Sequence, residues 1–167
     1  MGIPQYGMNK IGDSIDSSMG EILHVKAAAD GTAIAGAETR VLTASDAGNR
    51  YIVDFSANTS TFRLPSAASS KGAIFHFHAS IESDAENAKS LLVFTDAADE
   101  YIMGGCLDGG TIHDTSVADD ELKLDGSGGA IGGGDRFSVV CDGKHWYVMD
   151  AVALTASAFV SGTATRS

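Results

Sequence analysis

The chain has little of several residue types, and each scarcity excludes a class of protein. Its 167 residues include two prolines and two cysteines, and no apolar run reaches the roughly 20 residues that a membrane-spanning helix needs. The N-terminal sequence MGIPQYGMNKIGDS has no apolar core behind a basic end, so it predicts no secretory leader. Tyr6 stands where a myristoylation signal requires Ser or Thr. We therefore expect synthesis in the cytoplasm, with exit only as part of a particle.

The two cysteines, Cys106 and Cys141, are far apart and form no Cys-x-x-Cys pair. Two thiols do not make the disulfide framework of a small secreted domain. We expect buried free thiols, with a single bridge as the alternative.

Positive charge is also scarce. The chain has 11 Lys and Arg against 22 Asp and Glu, which gives a formal net charge of −11. Binding to nucleic acid or to an anionic membrane depends on many cations, so we expect neither as a partner. The acidic balance itself predicts solubility and repulsion between copies of the chain.

What the chain does have is a dense pattern of short strands. Hydrophobic residues make up 44% of it and 20 residues are glycine, which suits a real core with many tight turns. The clearest signal is a hairpin, RFSVVC and HWYVMD around the turn Asp142-Gly143-Lys144. Further strands are predicted at 21–25, 40–43, 50–56, 61–64, 73–81, 90–95, 101–103 and 121–124. Their spacing predicts an all-β fold, a small antiparallel β-sandwich or barrel-like domain.

Composition divides the chain into three parts. Residues 1–40 are rich in small residues, which predicts an extended N-terminal arm. We expect residues 41–150 to form the β domain and residues 151–167 to form an extended C-terminal tail. We expect a set of apolar arm and tail residues to contact another subunit or surface: Ile3, Tyr6, Met8, Ile11, Ile15, Met19, Leu154 and Phe159. A second set is expected to build the core or to end a strand: Tyr51, Phe55, Phe62, Pro65, Phe75, Phe77 and Trp146.

His76 and His78 are the first candidates for chemistry. They lie two apart on a predicted strand and therefore share one face, while Phe75 and Phe77 take the other. Such a pair can chelate a metal when a third ligand joins it. No third ligand is visible in the sequence, so we interpret the pair as the polar face of a half-exposed strand.

Other motifs also favour structural roles. The glycines at 126–134 run into Asp135 and a strand, whereas a phosphate loop needs Gly-Lys-Ser/Thr before a helix, and EF-hand spacing is absent. We interpret Cys141 as a packed apolar residue. We interpret the carboxylates at 119–121 as solvated charges of a loop. We expect no catalytic residue, no cofactor and no metal. An enzyme is the alternative only if His76, His78 or Cys141 converge with carboxylates in a pocket.

Three segments, in this order, resemble a block found in virion proteins of tailed bacteriophages: LTASDAGNRYIVDF, TFRLPSAASSKGAIFHFH and GGGDRFSVVCDGKHWYVM. The block occurs in capsid decoration (cement) proteins, in head fibres and in some tail-fibre or tailspike modules. The resemblance covers about residues 41–150 and brings no catalytic residue with it. It implies a β-tulip-like domain and a structural role.

The rest of the chain favours a decoration protein over a fibre. A fibre is expected to carry a repetitive shaft and a distal receptor-binding domain, and this sequence shows neither. The resemblance then implies a homotrimer on the outer capsid surface of the virion, made in the host cytoplasm, with the major capsid protein as partner. The N-terminal arm would spread over neighbouring subunits or the shell. The alternative is a short head- or tail-fibre module that binds a host receptor or glycan.

Overall fold

The computed structural model describes seven stretches of the chain: residues 22–26 (backbone only), 39–55, 59–80, 89–116, 118–126, 131–156 and 158–164. Six predicted contact residues lie outside these stretches: Ile3, Tyr6, Met8, Ile11, Ile15 and Met19.

The described stretches are mostly strand, which confirms the all-β prediction. In chain order the strands are β1 Ile22–Lys26, β2 Thr39–Val41, β3 Arg50–Asp54, β4 Ser60–Arg63, β5 Ile74–Ala79, β6 Ser90–Phe94, β7 Ile102–Met103, β8 Gly105–Asp108, β9 Thr111–Asp114, β10 Glu121–Asp125, β11 Arg136–Cys141, β12 Trp146–Ala153 and β13 Phe159–Gly162. Two short 3₁₀ helices, Ala44–Asp46 and Ala67–Ser69, lie between strands.

The strands form two packed sheets. The larger sheet has the order β1-β3-β5-β11-β12-β8-β9, with β7 beside β12, and the smaller has the order β13-β10-β6-β4-β2. The sandwich is mixed: it has antiparallel pairs such as β11–β12 and β10–β13, and also parallel pairs that the sequence analysis did not predict. From β2 to β6 the chain changes sheet at every strand. As a result, β3 and β5 are parallel neighbours in the larger sheet, and β2, β4 and β6 are parallel neighbours in the smaller sheet. Parallel pairing is the geometric result of these crossovers.

Alternate residues of each strand point into the space between the sheets. In β3, for example, Tyr51 and Val53 are buried while Arg50 and Ile52 are partly exposed. The same period of two buries Phe62 in β4 and both phenylalanines of β5. Of the residues expected in the core, the structure buries Tyr51, Phe55, Phe62, Phe75, Phe77 and Trp146. Pro65 is buried just beyond the end of β4.

The β11–β12 hairpin forms where the sequence indicates it. Cys141 pairs with Trp146 across the strands, and Gly143 takes a left-handed φ of 100° in the turn. Asp142 Oδ1 accepts hydrogen bonds from the backbone N–H groups of Lys144 (2.7 Å) and His145 (2.8 Å). These bonds stabilise the carboxylate and lower the pKa of Asp142.

The C-terminal segment belongs to the sandwich rather than to a separate tail. β12 continues past residue 150 to Ala153, and β13 pairs antiparallel with β10. Phe159 is buried, with its ring edge-on to Phe137 at 6.2 Å between centroids. Its expected role as a contact to another subunit was therefore wrong, because the core already covers it. Leu154, at 80% exposed, does lie on the surface.

Candidate functional site

One side of the larger sheet carries apolar side chains together with charged ones of both signs. Along β3, β5, β11, β12 and β8 these residues alternate with residues that face the smaller sheet, and β9 continues the surface through its pairing with β8. We call this surface the outer face. In cross-strand register most of its residues form three rows: Arg50, His76, Ser138 and Met149; then Ile52, His78, Arg136, Val152, Leu107 and Ile112; then Ile74, Val140 and Tyr147. Asp54, Asp114 and Asp150 lie on the same face.

The apolar part of the outer face lies on β12, β8 and β9. Ile112 is 74% exposed, Leu107 46% and Met149 45%. Leu107 sits directly between Val152 on one neighbouring strand and Ile112 on the other. Single exposed apolar residues are ordinary, but a contiguous group of them is typical of an interaction surface.

The sequence analysis missed β8 and β9, and with them Leu107 and Ile112. Both strands are four residues long and join through Gly109-Gly110, whose φ values of 56° and 87° are those of a tight hairpin turn. The Gly-Gly pair between two short stretches of β-compatible sequence was the signal that could have found them.

The basic part of the outer face is built from two cross-strand pairs. Arg50 on β3 lies beside His76 on β5, and His78 lies beside Arg136 on β11. Arg136 Nε is 3.4 Å from Asp150 Oδ2. Arg50 Nε, by contrast, is buried with no hydrogen-bond partner in the described part of the chain.

The two histidines are half-buried on this face, as the interpretation of β5 required. Partial burial, followed by the positive charge of Arg50, lowers the pKa of His76. The pKa of His78 is lowered by burial and then by Arg50, Arg136 and His76, while Asp150 opposes the shift in both rings. Both imidazoles are therefore protonated less readily than an ordinary histidine, whose pKa is about 6.5. His76 Nδ1 lies 2.8 Å from Ser138 Oγ.

The residue types of metal and thiol chemistry do not assemble into a site within the described stretches. There, no group of three or more His, Cys, Asp or Glu side chains could hold a metal ion. Cys106 and Cys141 are free and buried. Burial, with Asp108 and Asp114 nearby, raises the pKa of Cys106 to about 12, and burial also raises the pKa of Cys141. A nucleophilic cysteine requires the opposite shift.

A serine, a histidine and an aspartate do meet at one edge of the sandwich. Ser161 Oγ donates to Asp119 Oδ2 at 2.6 Å and lies 3.2 Å from His113 Nε2. In a hydrolytic triad the carboxylate orients the histidine, which then takes the serine proton. Here the carboxylate accepts the hydrogen bond from the serine hydroxyl directly, so the histidine is not placed to take the serine proton. The arrangement connects β9 to β13 and does not activate a nucleophile.

The carboxylates at 119–121 were wrongly interpreted as solvated loop charge. Asp120 is buried and accepts a hydrogen bond from the backbone N–H of Ala164. Asp119 accepts one from Ser116 N–H at 2.7 Å in addition to the Ser161 hydroxyl. Both residues fix the last described residues to the domain.

No protein-family model, curated protein or solved structure matches the chain. Within the described stretches, no helix has the length and apolar character to cross a membrane. The resemblance to tailed-phage virion proteins thus rests on the three sequence segments that carry it.

Proposed function

We propose that the protein is a non-catalytic structural protein of a tailed-phage virion, a homotrimeric decoration protein that binds the assembled capsid shell and stabilises it. The observation that carries the proposal is the outer face of the larger sheet. A sandwich that buries Trp146 and all seven phenylalanines still exposes Leu107 and Ile112 as cross-strand neighbours, with Met149 exposed on the same face. Such a surface suits assembly with other proteins.

The physical logic of decoration agrees with this architecture. A protein that binds only the assembled shell stabilises that shell by mass action. A compact β domain gives a rigid platform, and three linked copies bind together more strongly than one copy alone. The acidic surface keeps free copies soluble before they bind.

The direct test is co-sedimentation with undecorated capsids of the phage that encodes the chain. We expect saturable binding at a fixed ratio to the major capsid protein, together with a higher melting temperature of the capsids. Full-length protein that stays in the supernatant at every concentration would refute the proposal.

The N-terminal arm is tested in the same assay. Deletion of residues 1–20 removes all six of the predicted arm contacts, so we expect weaker capsid binding with the fold intact. Undiminished binding of the truncated protein would eliminate the role of the arm and leave capsid binding to the β domain.

A receptor- or glycan-binding fibre module is the second candidate, and one observation favours it. The rings of Tyr101 and His145 stack at 5.1 Å with 14° between their planes, and both residues are partly exposed. Aromatic rings with polar edges suit ligands that are apolar on one side and polar on the other, such as sugars. A protein that ignores capsids and binds host cells or glycans would establish this candidate instead.

A further inference from the structure

We infer that one buried water molecule bridges Ser70, Glu100 and Trp146 at one end of the sandwich. The water would accept or donate a hydrogen bond at each of these side chains and so join three segments that are distant in the sequence. The inference concerns the interior of a single copy and is independent of the proposed function.

Three buried polar atoms carry the inference. Ser70 Oγ, Glu100 Oε2 and Trp146 Nε1 have no hydrogen-bond partner among the described residues. Their residues are 3%, 8% and 0% exposed, respectively. A buried polar group without a partner is costly and rare in proteins. These atoms therefore need a partner, and the contacts of their residues place all three in one region.

Glu100 and Ser70 meet at Ala67, in the short 3₁₀ helix that follows β4. Glu100 Oε1 accepts hydrogen bonds from the backbone N–H of Ala67 at 2.8 Å and from the Ser66 hydroxyl at 3.1 Å. These bonds fix the carboxylate and leave its second oxygen, Oε2, for another donor. Ser70 ends the same turn, since its backbone N–H donates to the carbonyl of Ala67 at 3.0 Å.

Trp146 reaches the same region from the β11–β12 hairpin. It pairs directly with Cys141 across the two strands, and both side chains are buried. The Cys141 thiol donates to the carbonyl of Ala67 at 3.3 Å. The backbone N–H of Trp146 donates at 2.9 Å to the carbonyl of Tyr101, the residue next to Glu100. Trp146 is thus linked through Cys141 to Ala67 and through Tyr101 to Glu100.

The chemistry of the three atoms identifies water as their partner. The indole N–H of Trp146 only donates, an ionised carboxylate only accepts, and a hydroxyl does both. A cation would be repelled by the indole N–H, and an anion would be repelled by Glu100. A water molecule accepts from Trp146, donates to Glu100 and takes either role toward Ser70. Buried waters typically make about three such hydrogen bonds.

The bridge would also support the stacked rings of Tyr101 and His145. Tyr101 follows Glu100 directly, and its backbone N–H donates to His145 Nδ1 at 3.2 Å. His145 in turn precedes Trp146. A water that fixes Glu100 against Trp146 therefore fixes the two backbone segments that carry these rings.

The first readout is nuclear magnetic resonance of the isotope-labelled full chain. Trp146 is the only tryptophan of the sequence, so its indole N–H signal is identified without further assignment. NOE and ROE spectra record transfer between this proton and water, and opposite signs in the two spectra distinguish a bound water from proton exchange. A crystal structure supplies the second readout, which is the solvent density beside Glu100 and Trp146.

Two substitutions of Glu100 separate a water bridge from direct contact with Trp146. Glu100→Gln keeps Oε1 as the acceptor for Ala67 and replaces Oε2 by an N–H donor, which a water can accept but the indole N–H cannot. Glu100→Leu removes every hydrogen bond of the carboxylate. Asp99→Asn is the matched control, since it makes the same chemical change at the exposed neighbouring residue. Urea unfolding gives the unfolding constant of each variant.

We expect a bound-water signal at the Trp146 indole in the wild type and in Glu100→Gln. The crystal structure should show one solvent peak within about 2.7–3.2 Å of both Glu100 Oε2 and Trp146 Nε1. Glu100→Gln should change the unfolding constant by less than about fivefold, whereas Glu100→Leu should raise it by at least about thirtyfold. Asp99→Asn should leave the signal and the constant unchanged. If Glu100→Leu fails to fold, Glu100→Gln decides the result through its signal and its fivefold limit.

Three results would overturn the inference. They are an indole proton without transfer from bound water, a crystal structure in which Trp146 Nε1 donates directly to Glu100 Oε2, and a Glu100→Gln variant as unstable as Glu100→Leu. The last two would show that the side chains contact each other with no water between them. Every measurement uses the free chain, so these results leave the test of capsid binding unaffected.

Discussion

At the scale of single residues, the fold centres on a group of aromatic rings. Phe77 contacts three of them: Tyr51 at 5.5 Å, Phe137 at 5.2 Å and Phe62 at 5.2 Å between centroids. Phe62 comes from the smaller sheet and the others from the larger, so these rings join the two layers. Such pairs add about 0.5–1.5 kcal/mol each beyond the burial of their area.

Phe77→Ala should therefore be among the most destabilising single substitutions. We expect the free energy of unfolding to fall by about 3–5 kcal/mol, because a large cavity opens where the two sheets meet. Urea unfolding followed by Trp146 fluorescence measures the change. Phe77→Leu is the matched control and should cost less, since it leaves a smaller cavity. A loss below about 1 kcal/mol for the alanine variant would contradict the central role of this ring.

His76 and His78 make stability depend on pH. Their pKa values are lowered in the folded chain by burial and by Arg50, with Arg136 acting on His78 and Asp150 opposing both shifts. At a pH well above 6.5, the ordinary histidine pKa, both rings are neutral in the folded and the unfolded chain, and they cause no loss of stability. As the pH falls through that value, the unfolded chain takes up protons that the folded chain resists, so stability is lost.

The measurement is the free energy of unfolding between about pH 7.5 and pH 5.5, in protein dilute enough to prevent association. We expect it to fall with pH in the wild type and to fall less in the double variant His76→Gln, His78→Gln. Equal slopes in the two proteins would show that other groups cause the dependence.

At the scale of elements, buried carboxylates attach the C-terminal segment to the sandwich. Asp135 accepts a hydrogen bond from the backbone N–H of Leu154 at 3.2 Å, and Asp108 accepts one from Ala158 at 3.0 Å. Asp120 does the same for Ala164, two residues beyond β13. Each carboxylate sits in a different part of the chain and is buried. The segment is thus held at three points in addition to its pairing with β10.

Asp120→Ala should release the last of these points. We expect a loss of about 1–3 kcal/mol, because the buried N–H of Ala164 then lacks its acceptor, and faster amide hydrogen exchange in β13. Asp96→Ala is the control, since Asp96 forms an exposed pair with Arg63 at 3.6 Å, and such pairs contribute about 0–1 kcal/mol. Unchanged exchange in β13 would show that strand pairing alone holds the segment.

These elements also show how far the sequence could lead. The β11–β12 hairpin and the alternation in β3 and β5 were predictable, because turn chemistry and a period of two are local properties. The burial of Asp120 was not, since its partner Ala164 lies 44 residues away. The same holds for β13, a four-residue strand that forms by pairing with the distant β10. On the outer face, β5 was predicted, while Leu107 and Ile112 were hidden by strands too short to show a period.

At the scale of the whole molecule, the two outer surfaces of the sandwich differ in how their apolar residues are arranged. The smaller sheet presents Thr61, Arg63 and Lys123, with Lys123 Nζ 2.9 Å from Asp125 Oδ2. Its exposed apolar residues lie opposite basic ones, since Val41 pairs with Arg63 and Val160 with Lys123. On the larger sheet, by contrast, Leu107 lies opposite Ile112, so two exposed apolar side chains are neighbours. A contiguous apolar surface of this kind is more typical of an interaction surface than isolated apolar residues are.

Under the proposed function, assembly and capsid binding are separable but coupled. A variant that no longer assembles retains whatever surface contacts the shell, so we expect it still to bind capsids, but as single copies. Loss of the linkage between three copies should lower its apparent affinity by about 10²–10⁴-fold. Capsid occupancy measured across a dilution series tests this, with the wild type as the control. If the dissociated variant half-saturates capsids at the wild-type concentration, the copies do not bind cooperatively and each protomer docks alone; if it does not bind at any concentration, the surface that assembles the copies also contacts the shell.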